Sequence, residues 1–199
     1  MGNFTIQESP QITDGDNLLR TAHWVKPYRL GHLLLIKTAG REHEAITRLI
    51  TQWALRGAFY LIAGGEWLPD HDDLRYSVYG YTVAVDETLD NVILARPSTC
   101  LQLLDLLMEA DKQNKPMLIL DFLHHFYNSD VELSLRYQIL EQCCQYTQRL
   151  SFSNPVAVLV PHLATEDYQR FFPILGSIVD EIMEVEKHPA TEASQGSLF

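Results

Sequence analysis

KPMLILDFLHHFYNSDVELSLRYQILEQCCQYTQRLSFSNPVAVLV, residues 115–160, decides the fold class. Met117 to Leu120 is apolar at every position, the pattern of a strand buried on both faces. Asp121 closes that run, and the loop-like stretch FLHHFYNSD follows it. Glu132 to Leu150 then reads as an amphipathic helix, and Val156 to Val160 is a second apolar run. Two fully apolar strands joined through a helix indicate a parallel crossover, because parallel neighbours need a long connection.

The alternation continues outward. His32 to Lys37 is a short aliphatic strand, followed by the loop Thr38 to His43 and a helix to Arg56 with Ile46, Leu49, Ile50 and Trp53 at helical spacing. Ala58 to Ala63 is a second strand, opening onto Gly64, Gly65 and an acidic loop from Pro69 to Asp73. Asn91 to Ala95 is a third strand before a helix over Ser98–Lys112, in which Leu101, Leu104, Leu107 and Met108 share a face, and Ser177 to Val185 is a last strand. The expectation is an α/β fold, a mostly parallel central sheet with helices on both faces. Residues 1–30 form an entry segment, 31–186 the core and 187–199 a polar tail.

Composition limits what such a domain can do. With 199 residues and 46% hydrophobic content, the chain can bury one substantial core. Its net charge of −11 disfavours a broad phosphate-tracking surface, so direct nucleic-acid binding is expected to be weak or absent. Cys100, Cys143 and Cys144 are odd in number and lie in helical, buried segments, which fits a reducing compartment. There is no basic, apolar leader and no run of about 18 apolar residues, so the expectation is a soluble, cytoplasmic protein without membrane contact.

Three segments, in order, resemble the ATPase core of the RecA/RadA recombinases over roughly residues 12–186. They are FYLIAGGEWLPDHDDL (59–74), close to the family's second strand and its following proline; LDNVILARPSTCLQLLDLL (89–107), close to its DNVxxARxxxxxxQxxLL; and ELSLRYQILEQCCQYTQRLSFSNPVAVLV (132–160), close to its ELSxRQxxLxxxxxxLxxLAxxxxVAVVxTNQ. The resemblance implies a RecA-like P-loop NTPase fold, with Asp121 at the Walker B position where such enzymes hold Mg²⁺.

The departures from the family pattern fall on the chemistry. A phosphate loop needs GxxxxGK[ST]: glycines let backbone N–H groups close on the phosphates, lysine reaches the outer ones and the hydroxyl binds Mg²⁺. The matching window is Lys37-Thr38-Ala39-Gly40-Arg41-Glu42-His43-Glu44, with His43 in place of lysine and Glu44 in place of the hydroxyl. Glu42 and Glu44 would meet a triphosphate with like charge. A shifted register would recruit Lys37 or Arg41 without restoring the glycine and hydroxyl pattern. Anchored on Pro69, the family's catalytic glutamate falls on Gly64, and a one-gap realignment moves it to Glu66. The polar residue after the fifth strand becomes His162, and the family's two DNA-binding loops would lie in Tyr127–Val131 and Leu163–Gly176, the second holding Glu166, Asp167 and one cation, Arg170. Asp121 is then more simply a strand-end carboxylate satisfied by loop N–H groups, and Asp121 and Glu66 are vestigial candidates only.

Other constellations carry less. Asp121, His124 and His125 with Asp70, His71, Asp72 and Asp73 have metal-capable chemistry, but no recognised ligand spacing, and no metal site is expected. The adjacent cysteines read as core, and no GxSxG elbow supports triad hydrolysis. Gln195-Gly196-Ser197-Leu198-Phe199 resembles the sliding-clamp-binding peptide, QL[SD]LF in bacterial partners, in which Gln195 would fix orientation while Leu198 and Phe199 fill an apolar pocket. Gly196 departs from the favoured leucine, and a chance tail is the competing reading.

These readings converge on a non-catalytic RecA/RadA-like paralogue, without a cofactor, that acts in recombination and repair through protein partners, a recombinase and the sliding clamp among them. Phe4-Thr5-Ile6 is either a strand that docks on a neighbour's sheet edge, giving an oligomer, or an ordinary terminus. Two alternatives stand beside this expectation: an unorthodox ATPase using Asp121, Glu66, ATP and Mg²⁺, and an adaptor scaffold unrelated to DNA.

Overall fold

The computed structural model describes residues 30–38, 43–64, 67–127, 130–163 and 165–185. The entry segment through residue 29, Gly40, Arg41, Glu66 and the tail with Gln195, Leu198 and Phe199 lie outside these residues. Six strands, β1 (Leu33–Thr38), β2 (Phe59–Ala63), β3 (Val92–Ala95), β4 (Met117–Leu120), β5 (Val156–Pro161) and β6 (Glu181–Val185), form one sheet in the order β3-β2-β4-β5-β1-β6. Every pairing in it is parallel. Helix α1 (His43–Ala54) follows β1, α2 (His71–Tyr79) and α3 (Val85–Leu89) follow β2, and α4 (Cys100–Ala110) follows β3. A 3₁₀ turn (Phe122–Phe126) and α5 (Leu133–Ser153) follow β4, and α6 (Glu166–Gly176) follows β5.

Successive strand residues feed opposite cores, which explains why the strands read as continuous apolar runs. Leu34, Ile36, Leu61, Leu118 and Leu159 pack with Ile46, Ile50 and Trp53 of α1, whereas Leu33, Leu35, Ile62, Ile119 and Val158 pack with Leu107 of α4, Cys143 of α5 and Phe171 of α6. Crossover handedness sets this division. Connections leaving β1 and β2 run toward the β3 edge and those leaving β3, β4 and β5 run back toward β6. Right-handed crossovers therefore put α1 to α3 on one face and α4 to α6 on the other. The cysteines are buried with free thiols, and burial raises all three, Cys144 to about 12, so they are inert core groups. Among the described residues no helix is long and apolar enough to cross a membrane.

Side-chain caps start α4 and α6, and four expectations need correction. Thr99 caps α4, its hydroxyl accepting from the Gln102 N–H (3.2 Å) while Gln102 Oε1 accepts from the Ser98 N–H (2.7 Å). The buried face of α4 is Cys100, Leu103, Leu104, Leu107 and Ala110, and Leu101 and Met108 are exposed, because burial against both the sheet and α5 turns the helix about one residue from the face expected. The acidic loop Pro69–Asp73 is in part the first turn of α2, where Asp72 and Asp73 favour the positive end of the helix dipole. Leu163–Gly176 is largely α6 rather than an open loop: Thr165 accepts from the Tyr168 N–H (3.2 Å) and the helix continues through Pro173. Its one cation, Arg170, is paired with Glu166 one turn away. The last strand is confined to Glu181–Val185, since Ser177 and Ile178 form a turn bonded back to α6.

Candidate functional site at the carboxyl edge of the sheet

In an open parallel sheet, ligands bind beyond the carboxyl ends of the strands, where neighbouring strands send their chains to opposite faces. Among its four inner strands this sheet has two such points, between β2 and β4 and between β5 and β1. Gly64 and Asp121 lie at the first, Thr38 and His162 at the second.

The β2/β4 point is closed by close packing. Asp121 leaves β4 in the left-handed region (φ 51°, ψ 52°), a conformation that Asp tolerates better than most residues and that starts the 3₁₀ turn immediately. Its N–H donates to the Leu159 carbonyl (2.8 Å), and its carbonyl accepts from the His124 N–H (3.1 Å). Gly64 donates its N–H to the Leu120 carbonyl (2.9 Å). A Cβ on Gly64 would stand 2.7 Å from the Asp121 carbonyl oxygen and 2.9 Å from His125 Nε2, so only glycine fits without displacement. His125 is buried, and neither ring nitrogen has a hydrogen-bond partner among the described residues. Burial, reinforced by the charge of His124, pushes its pKa down to about 4, so the ring is neutral at physiological pH. The more open His124 places Nδ1 3.7 Å from Asp121 Oδ2.

Around the second point the described side chains are largely aromatic. The His162 N–H donates to the Thr38 carbonyl (2.7 Å), and its ring meets Tyr168 edge-on at 5.6 Å. Tyr168 stacks on Phe172 at 4.9 Å. Burial, together with the Glu184 charge, raises Tyr168 to about 12, and burial with the charges of Asp121, Tyr168 and Asp167 raises Tyr127 as well. The two hydroxyls are buried without a partner among the described residues. Phenols held protonated and a neutral imidazole make a low-dielectric polar layer, not an acid–base pair poised near neutrality.

Among the described residues of the phosphate-loop window, His43, Glu44 and Lys37 are engaged within the fold. His43 is the first residue of α1, where its carbonyl accepts from Thr47 Oγ1 (2.7 Å), and Glu44 is in the first turn, its carboxylate paired with Arg48. Lys37, the cation that a shifted register would recruit, donates to Glu184 Oε1 on the adjacent β6 (2.8 Å) and lies 5.6 Å from the Phe172 ring centroid, on the face away from α1. A triphosphate at α1 would meet Glu44 with like charge and would have to separate Lys37 from its carboxylate to recruit it. No step through ATP or Mg²⁺ follows from this arrangement. Millimolar ATP with Mg²⁺ is therefore expected to leave the melting temperature unchanged, because a ligand stabilises only by binding the folded state. A rise of several degrees by scanning fluorimetry, lost in Asp121→Asn, would contradict this.

The fold brings Asp121 and the His124–His125 pair together with Gly64, a contact whose only mark along the chain is a glycine at the end of an apolar run. Tyr127 and Tyr168, absent from the sequence-derived candidates, join the same edge. Among the described residues no three His, Cys, Asp or Glu side chains are arranged to hold a metal ion. No protein-family model matches the chain, and no curated protein matches it in sequence.

Proposed function

We propose that this chain is a degenerate RecA/RadA-like paralogue, with a RecA-like P-loop NTPase fold that has lost its nucleotide chemistry, acting as an accessory factor in DNA recombination and repair through protein contacts. The carrying observation is the state of the would-be phosphate loop: the carboxylate of Glu44 is held by Arg48, and Lys37 is committed to Glu184. The three segments that resemble the family support the reading by their order, lying on β2–α2, on β3–α4 and on α5–β5 of an all-parallel sheet. Asp121 at the end of β4 is consistent with a Walker B remnant, at a left-handed position that aspartate tolerates better than most residues.

In this reading the tail supplies an address. Gln195, Leu198 and Phe199 would engage the sliding clamp and hold the domain where a recombinase works. Calorimetric titration of the host's own clamp with the full chain, and with a chain lacking residues 195–199, tests it. Micromolar binding that disappears with the five residues is the expected result. Equal binding by both chains removes the tail from the mechanism, and no binding by either favours a scaffold unrelated to DNA.

A further inference from the structure

The outer surface of α2 and the turn into α3 shows residues that a solvated face does not need. Leu74 and Val78 bury the inner side of α2 against α1, where Thr51 Oγ1 donates to Ser77 Oγ (2.9 Å). The opposite side carries Asp72, Asp73, Tyr76 and Tyr79 at helical spacing, and Tyr81 and Val83 extend the stripe. Tyr76 is 82% exposed and Val83 95% exposed. Three tyrosines and a valine in eight residues, all exposed, form an aromatic surface of the kind that interfaces use as anchors.

This surface is held in shape. The Tyr81 and Thr82 N–H groups both donate to the Val78 carbonyl, Thr82 Oγ1 accepts from the Ala84 N–H (3.1 Å), and Arg75 pairs with Asp86 across the turn. An ordered aromatic face loses little conformational entropy on binding. Its charge is one-sided: from Asp70 to Asp90 there are six carboxylates and one guanidinium, and that guanidinium is spent on Asp86. This stretch accounts for a net −5 of the chain's −11.

From the aromatic face and its acidic rim we infer that the α2–α3 corner is a docking site for a basic, arginine-bearing segment of a partner protein. Guanidinium groups would stack on Tyr76, Tyr79 and Tyr81 and meet the carboxylates of Asp72, Asp73 and Glu87. Charge selects this occupant over the others. Nucleic acid and anionic lipid are repelled, and a second copy meeting the same patch would set like charges face to face. The inference stands on this surface alone and holds whether or not the protein serves DNA repair.

A random dodecapeptide library selected on the immobilised full chain tests it, with the winning peptides then titrated by fluorescence anisotropy. Net-positive, arginine-containing peptides are expected, bound more weakly as salt rises and at least tenfold more weakly by Tyr76→Ser/Tyr79→Ser and by Asp72→Asn/Asp73→Asn. Tyr76→Ser/Tyr79→Ser, at exposed positions, should keep the wild-type melting temperature, and Asp72→Asn/Asp73→Asn should lower it by no more than a few degrees, the helix-dipole contribution of two first-turn carboxylates. Asp105→Asn/Glu109→Gln, an equal charge change on exposed residues of α4, should leave binding intact. Winners without positive charge, equal loss in the α4 variant, or a wild-type dimer in the ultracentrifuge that Tyr76→Ser/Tyr79→Ser disperses would each overturn the assignment.

Discussion

Between pH 7.5 and pH 4 the folded state is expected to lose about 3 kcal/mol of stability through His125 alone, since each unit of pKa shift corresponds to about 1.4 kcal/mol. The folded-state pKa of this ring is depressed to about 4 from an ordinary value near 6.5, first by burial and then by His124. Between those values the unfolded chain holds a proton that the folded chain does not. Stability is therefore full above about pH 7, falls as the pH drops through 6.5, and stops responding to this group below about 4. Urea unfolding midpoints across that range, compared with His125→Gln, isolate the effect from the carboxylates, which titrate in both proteins. The difference between the two curves should narrow steadily toward acid, whatever the variant's stability at neutral pH. Parallel curves would falsify the assignment of a buried, neutral imidazole beside Gly64.

Gly64→Ala should cost about 2–3 kcal/mol at neutral pH, at the upper end of what overpacking usually costs. The added methyl would meet the Asp121 backbone oxygen at 2.7 Å and His125 Nε2 at 2.9 Å. Neither can retreat cheaply: the Asp121 N–H is tied to β5 and its carbonyl to His124, while the His125 ring is enclosed by the core. For a chain of this size the loss corresponds to a fall of roughly 4–12 °C in melting temperature. Gly80→Ala is the matched control. Gly80 has φ −65°, and its nearest added contact is an ordinary 3.4 Å, so alanine should be tolerated to within about 0.5 kcal/mol. Similar losses in both variants would show that close approach at Gly64 is not what that position requires.

The two effects share a location, the β2/β4 point, where the His125 ring packs against the bare backbone of Gly64. The two stability predictions are thus separate readings of one packed contact, and the absence of a nucleotide response rests on Lys37 and Glu44 at the other end of the sheet edge.

What could be read along the chain was whatever depends on near neighbours. Four apolar runs marked β1, β2, β4 and β5, because burial on both faces removes alternation. Reading failed where local chemistry pointed the wrong way. Leu163 to Gly176 reads as a loop, yet most of it is α6, capped by Thr165. Asp70 to Asp73 reads as a solvated loop, yet part of it opens α2. Of the site, the identities of His43 and Glu44 after the first strand were legible, as was Asp121 at a strand end.

Tertiary structure decided how those residues are used. The strand order brings Lys37 beside Glu184, 147 positions apart, and so withdraws the cation that a displaced site would need. It also brings Gly64 against the turn after Asp121, which buries His125 and shifts its proton equilibrium. Such pairings depend on which strands become neighbours and which face each helix covers. A periodic pattern records that a residue is buried, but not which distant residue it is buried against.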